Sequence, residues 1–337
     1  MMIGPGPRNA ITDVAGLRVG HATDARAGTG VTTLFPDGPW TAAVDIGGGG
    51  PGIRETETLA PENLVSGVHA VVLTGGSVFG LAAADGVTAR LAARGIGLRL
   101  RPEGHAIPIV PAAVLHDLSA PGDKGWGEEP PYRALGLASV DAANAAFALG
   151  SVGAGRGARV GNGAGGIGTA SLALGDGLIV GALAAANAVG TAFMPGSDVF
   201  WAWPFEIDCE YGGRRPRDLA PAIEPMPEAS KLAGLGRLSP GANTTLGVVA
   251  TNAALTKAEA KRVAMMAQDG IARAVRPAHT PFDGDLVFAL ASGEIALPED
   301  GARWQRIARI GSAAADTLAR AIARGVYEAM RQEGEDC

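Results

Sequence analysis

Two short stretches of the 337-residue sequence hold side chains that together could open an amide bond. In NTTLGVVATN, Asn243 precedes Thr244 and Thr245 where a Pro- and Gly-rich stretch runs without a turn into an apolar, β-branched run. Scission between Asn243 and Thr244 would leave Thr244 at the head of a strand, with its hydroxyl and a new α-amino group on one residue. An unperturbed α-amino group titrates at about pH 7.7 to 8.0, so near neutrality it accepts the hydroxyl proton. In FDGDLVF, Asp283 and Asp285 stand two positions apart. With Asp285 opening a strand, both carboxylates face one side. They could then share one task. Spacing alone leaves plainer readings open: threonine is a common strand residue, and an Asp-Gly pair between acids suits a solvated hairpin turn.

Other candidates are weaker. GGGGPG at 47–52 and LTGGSVFG at 73–80 have the glycine content of phosphate cradles, but neither has GxxxxGK[ST], nor a complete GxGxxG with a later acidic partner. GAGRGARVG at 153–161 reads as a glycine-rich loop lining a site. The five histidines, His21, His69, His105, His116 and His279, show no HExxH or paired spacing, so no metal cluster is expected; His279 lies close enough to the aspartates to assist them. Ser77 lacks the GxSxG elbow of a Ser/His/Asp hydrolase. Cys209 and Cys337 cannot build a disulfide framework and fit a reducing compartment.

The elements that must position these residues follow from periodicity. TAAVDI at 41–46 reads as a strand entering the first glycine loop, and VHAVVLTGG as a buried strand leading into an Ala-rich helix over about 78–94. AIPIVPAAVLHDL at 106–118 predicts a strand with prolines at its margins, and LASVDAANAAFALG a helix. The stretch from SVGAGRG to ANAVG, 151–190, alternates glycine with small or β-branched residues and then reads as two adjacent strands with a turn at Gly175–Gly177. From 191 to 240 the pattern dissolves into what reads as a long flexible surface segment. TTLGVVA is a strand; Thr256 and Glu259 form a capping box for a helix reaching about Arg276 before Pro277. DLVFALASG at 285–293 is a further strand, and a long amphipathic helix spans about 302–331 with Ile307, Ile310, Ala314, Leu318 and Ile322 at helical spacing. Helices grouped together and strands adjacent predict an α+β sandwich in place of a strictly alternating parallel sheet.

Composition supports that frame. Hydrophobic residues make up 47% and charged ones 18%, too apolar for a disordered chain, and 51 glycines beside few aromatics let backbones pack closely in layers. The formal charge of −6 disfavours nucleic acid and anionic membranes as partners. With no signal-like h-region and no apolar run long enough to span a bilayer, a cytoplasmic location is expected.

Taken together, ITDVAGLRVGHAT, PGIRET at 51–56, LTGGSVFGLAAADGV at 73–87, PIVPAAVLHDL at 108–118, SVGAGRG at 151–157, GGIGTAS at 165–171, ANAVG at 186–190, NTTLGVVATN at 243–252 and DGIARAVRPAHTPFDGDLVFALASG resemble the S58 family of N-terminal-nucleophile peptidases. That family contains β-peptidyl aminopeptidases, L-aminopeptidase/D-esterases and nylon-oligomer hydrolases, and the resemblance covers nearly the whole chain. It implies a four-layer αββα fold, a single 1–337 domain cut into an α part (1–243) and a β part (244–337), and Thr244 as nucleophile. It further implies Asn187 as donor to the oxyanion and Asp283 with Asp285 beside the nucleophile. The aspartate pair is similar to the nylon-oligomer (6-aminohexanoate-oligomer) endohydrolase branch. The expected chemistry is hydrolysis of a small peptide or amide carrying a free amine, without a cofactor, by a homo-oligomer of αβ units. One departure stands out: where many relatives carry Lys before the glycines of GGIGTAS, this chain has Ala164, leaving a cation to Arg156, Arg159 or a re-registered loop. Two alternatives follow: an acyltransferase of the ornithine acetyltransferase type, or an unprocessed, non-catalytic relative. A dinucleotide-binding protein is a more distant one.

Overall fold

A computed structural model describes residues 3–217, 224–234 and 243–335. The main elements in chain order are β1 (Leu17–Asp24), β2 (Thr29–Pro36), β3 (Thr41–Ile46), β4 (Gly52–Arg54), β5 (Val71–Thr74), α1 (Ala82–Ala93), β6 (Ala112–Val114) and α2 (Tyr132–Asp141). There follow β7 (Arg159–Val160), β8 (Gly163–Ala164), β9 (Gly166–Gly175), β10 (Leu178–Asn187), β11 (Thr244–Ala253), α3 (Lys257–Ala274), β12 (Leu286–Ile295) and α4 (Ala302–Glu335). Two five-stranded sheets result, ordered β1-β2-β5-β6-β4 and β3-β12-β11-β10-β9, with β7 and β8 forming a small ladder of their own. Pairing is antiparallel except for β5–β6 and β11–β12. The fold is α+β.

Side-chain alternation along the strands divides the core. On β11 and β12, Leu246, Val248, Leu286, Phe288 and Leu290 face the other sheet, where Leu34, Val71 and Leu73 meet them. The intervening Val249, Val287 and Ala289 face α3 and α4, packing with Val263, Ile271, Ile310, Leu318 and Ile322. On the far side, Val31, Phe35 and Val72 pack against Ala84, Val87 and Leu91 of α1 and Tyr132 and Val140 of α2. Small residues set the spacing. A Cβ at Gly168 of β9 would lie 1.9 Å from the Ala321 carbonyl oxygen of α4, so only glycine admits that helix so close.

The 175–177 turn is present, with Gly175 opposite Leu178 and positive φ at Asp176 and Gly177 as a tight primed turn requires. The capping box also forms: the Thr256 side chain accepts from the Glu259 N–H, and Glu259 accepts from the Thr256 N–H at 2.8 Å.

Three expectations need correcting. The 106–118 strand is confined to Ala112–Val114, because Pro108 and Pro111 have no N–H to give; the flanking carbonyls of Ile109 and Pro111 still accept from His69 and Val72. The helix expected within 137–150 starts earlier, at Tyr132 after Pro131, and ends at Asp141. Beyond it the chain is drawn out as Asn144 exchanges backbone hydrogen bonds with Val19 at 2.9 and 3.0 Å. Nor is 191–217 a free surface segment. Phe200 and Tyr211 are buried, the Tyr211 hydroxyl donates to the Ala202 carbonyl, and Glu210 accepts from the buried Arg320 of α4 at 2.5 Å. Residues 218–223 and 235–240 of that segment lie outside the described residues, as does Cys337. Cys209 is exposed.

Candidate active site

Parallel pairing of β11 with β12 sets the site. Leu246 is opposite Leu286, and carrying that register back places Thr245 by Asp285, Thr244 by Gly284 and Asn243 by Asp283. On the other side antiparallel pairing sets Asn187, the last residue of β10, opposite Thr244. Thr244, Asn187, Asp283 and Asp285, distant from one another in sequence, therefore meet at one end of a central strand. Asn243, Thr244 and both aspartates are buried.

The Thr244 hydroxyl donates to the carbonyl oxygen of Asn243 at 2.5 Å, and the Gly284 N–H donates to the same oxygen at 2.7 Å. That oxygen thus accepts two protein donors at once. Gly284 must be glycine here, since a Cβ would stand 2.6 Å from Thr244 Oγ1.

Both carboxylates are engaged by protein donors. Asp285 accepts the Thr245 N–H at 2.6 Å and the His279 N–H at 3.0 Å, with the His279 ring Nδ1 also 3.0 Å away. Asp283 accepts from the Val189 N–H, the Thr280 N–H and the Thr280 hydroxyl. The solvated-turn reading is thereby overturned. The Thr244 hydroxyl turns to Asn243, and the carboxylates hold the frame around it. Burial, and then the neighbouring Asp285 charge, push the Asp283 pKa up. Burial opposes a charge on His279, but the hydrogen bond and charge of Asp285 outweigh it and raise its pKa.

The Asn187 amide is held on both sides: Oδ1 accepts the Arg159 N–H at 2.9 Å, and Nδ2 donates to the His116 carbonyl at 3.2 Å. Arg159 belongs to the 153–161 glycine loop, which borders the site through this bond. The other two glycine loops cradle protein groups. The N–H groups of Gly47, Gly48 and Gly50 donate to the Asp285 and Asp283 carbonyls, bracing the FDGD loop. The Gly76 N–H donates to the buried Asp117 carboxylate.

Two participants escaped sequence reasoning. Gly284 sits inside the recognised motif, but its donor role depends on pairing with Asn243. Lys231, from the 224–234 segment, donates to the Asn243 side-chain oxygen at 2.7 Å; nothing in its mixed-charge neighbourhood marked it out. Arg156 is exposed and lines a surface cavity with Gln332 and Glu333. Ala164 is buried beside Arg159 in the β7–β8 ladder.

The pattern of peptidase family S58 matches residues 9–337. The chain belongs to that family. An uncharacterized aminopeptidase of Mycobacterium tuberculosis (strain ATCC 25618 / H37Rv) is 42% identical, covering 97% of this chain and 96% of its own length. A 6-aminohexanoate-oligomer endohydrolase of Agromyces sp. (strain KY5R) is 29% identical over 85% of this chain and 76% of its own. Among solved structures, a Burkholderia sp. beta-aminopeptidase superposes with a TM-score of 0.67 at 24% identity, covering 96% of this chain and 88% of that one. The L-aminopeptidase D-ala-esterase/amidase of Ochrobactrum anthropi, described as a variant of the Ntn hydrolase fold, gives 0.67 at 20% identity over 98% and 88%. At those identities the structural likeness speaks for the fold alone. This S58 chain thus belongs among aminopeptidase-type hydrolases. Among its described residues no helix is long and apolar enough to cross a membrane.

Proposed function

We propose that this S58 member is a self-processing amide hydrolase in which Thr244 first opens its own Asn243–Thr244 bond and then, as an N-terminal residue, attacks substrate. One observation carries the reading: at a buried strand head, the Thr244 hydroxyl and the Gly284 N–H converge on the Asn243 carbonyl oxygen. Attack of Oγ on that carbonyl carbon puts negative charge on the oxygen Gly284 already binds. Collapse breaks the C–N bond, and the nitrogen takes up the proton lost by the hydroxyl. The ester so formed is hydrolysed by water, leaving an Asn243 carboxylate on the 1–243 part and a free Thr244 amine on the 244–337 part.

In the cut protein that amine accepts the Thr244 hydroxyl proton as Oγ adds to a substrate amide. In this reading Asn187, paired with Thr244 across β10 and β11, donates its Nδ2 to the developing oxyanion. The departing amine takes the proton, and water releases the acyl group. Asp285 and Asp283 keep the strand head in register and bias the site towards substrates bearing a cationic amine, such as short peptides, β-peptides or ω-amino-acid oligomers. The names of the Burkholderia beta-aminopeptidase and the 6-aminohexanoate-oligomer endohydrolases support that range. The same reading takes the succession of helices, sheet, sheet and helices as the four-layer αββα arrangement, and assembles the αβ units into a homo-oligomer.

The test is to incubate fully cut protein with α-aminoacyl amides, β-aminoacyl amides and 6-aminohexanoate oligomers. Release of the amine with transfer of the acyl group to water is expected. Transfer to an added amine instead would assign the acyltransferase alternative, and no turnover of any member would contradict the hydrolase reading.

A further inference from the structure

Lys231 approaches the junction from a segment that none of the sequence motifs includes. Its backbone N–H donates to the Val189 carbonyl at 2.9 Å, pinning the segment just beyond the strand end that carries Asn187. Its ammonium donates to Asn243 Oδ1 at 2.7 Å and to the Arg159 carbonyl at 2.8 Å. Arg159 is the cross-strand partner of Ala164 in the β7–β8 ladder. The ammonium therefore ties the Asn243 side chain to the stretch of β7 whose backbone N–H also holds Asn187.

We propose that Lys231 is the positioning residue of the cleavage junction: by gripping the Asn243 side chain it holds the scissile carbonyl against the Thr244 hydroxyl. The inference rests on the self-cleavage reading above. Asn243 is then held at two points, its carbonyl by Gly284 and its side chain by Lys231, so the carbonyl cannot swing away from Oγ. The charged and titratable groups facing the ammonium are Asp283 before β12, Arg159 on β7 and His116 beyond β6. Burial pulls the Lys231 pKa down to about 7, with Asp283 opposing and Arg159 reinforcing the fall. The grip thus weakens as pH rises through neutrality.

The experiment follows first-order cleavage of freshly refolded precursor by intact mass between pH 5.5 and 9.5. It compares wild type, Lys231→Met and Lys231→Arg, with Thr244→Ala as the uncut control and circular dichroism as the check on folding. Losing a charged hydrogen bond should slow Lys231→Met by about tenfold or more at pH 6. The ratio of wild-type to Lys231→Met rates, which cancels every shared pH effect, should fall as pH passes about 7. Lys231→Arg should restore cleavage without that fall. If Lys231→Met does not fold, the missing fall in Lys231→Arg relative to wild type carries the test. A folded Lys231→Met that cuts at the wild-type rate, or a ratio independent of pH, would overturn this role and leave self-cleavage standing. A wild type that stays whole at every pH would overturn both.

Discussion

One methyl group at Gly284 would touch the Thr244 hydroxyl, because its Cβ falls 2.6 Å from Thr244 Oγ1. Gly284→Ala is therefore expected to displace the hydroxyl by a good fraction of an ångström and slow self-cleavage by about a hundredfold, read by intact mass over time. Asn187→Ala separates the two reactions. The Asn243 oxygen has its donor in Gly284, so cleavage should persist, whereas turnover of an aminoacyl amide by the cut product should fall by about two to three orders of magnitude. His279 adds a pH signature. Its pKa is raised in the folded state, so the stability it lends through Asp285 is full below its ordinary value near 6.5 and lost as pH rises through the folded value. His279→Gln should accordingly lower the unfolding midpoint of the uncut Thr244→Ala protein more at pH 5.5 than at pH 9. At this scale the sequence made Thr244, Asn187 and the aspartates legible only through motif resemblance, since an NTT start and a DGD turn have ordinary uses. Lys231 was illegible because its role depends on a fold contact with Asn243 and on nothing in its own neighbours.

The elements were most readable where local chemistry and burial agree. The Thr256–Glu259 box, the helical spacing of Ile307, Ile310, Ala314, Leu318 and Ile322, and the glycines of the 175–177 turn each appear in the structure as their sequence implies. Thr256→Ala removes the cap of α3 and should destabilise the protein by about 1 kcal/mol, seen as a lower urea midpoint with the cleavage rate unchanged. Reading failed where tertiary pairing overrode propensity. The Ala-rich 142–150 stretch would suit a helix, yet Asn144 pairs with the backbone of Val19 on the edge strand β1. The Pro- and Gly-rich 191–217 stretch would suit a loop, yet Phe200, Ala202 and Tyr211 supply apolar surface that the α3/α4 side of the sheet buries. Turn-forming residues there shape a packed segment, a distinction composition cannot draw.

For the whole molecule the decisive fact is the position of β11 in the middle of its sheet, hydrogen-bonded to β10 on one side and β12 on the other. A cut at its head breaks one covalent bond and none of those ladders. The two parts are expected to co-elute on gel filtration under native conditions and to part only in denaturant; separation without denaturant would contradict this sheet order. The α+β class was foreseeable from grouped helices and adjacent strands, while the sheet order, which brings Asn187 and Asp283 to either side of Thr244, rests on long-range pairing that no local pattern encodes. The most direct test of the central claim is the intact mass of purified wild type beside Thr244→Ala. The 337-residue chain of 33.8 kDa averages about 100 Da per residue, so parts of 243 and 337 − 243 = 94 residues weigh about 24 and 9 kDa. The account predicts those two masses in the wild type and one whole chain in the mutant; a wild type that stays whole after long incubation, or a mutant that is cut at the same bond, would contradict it.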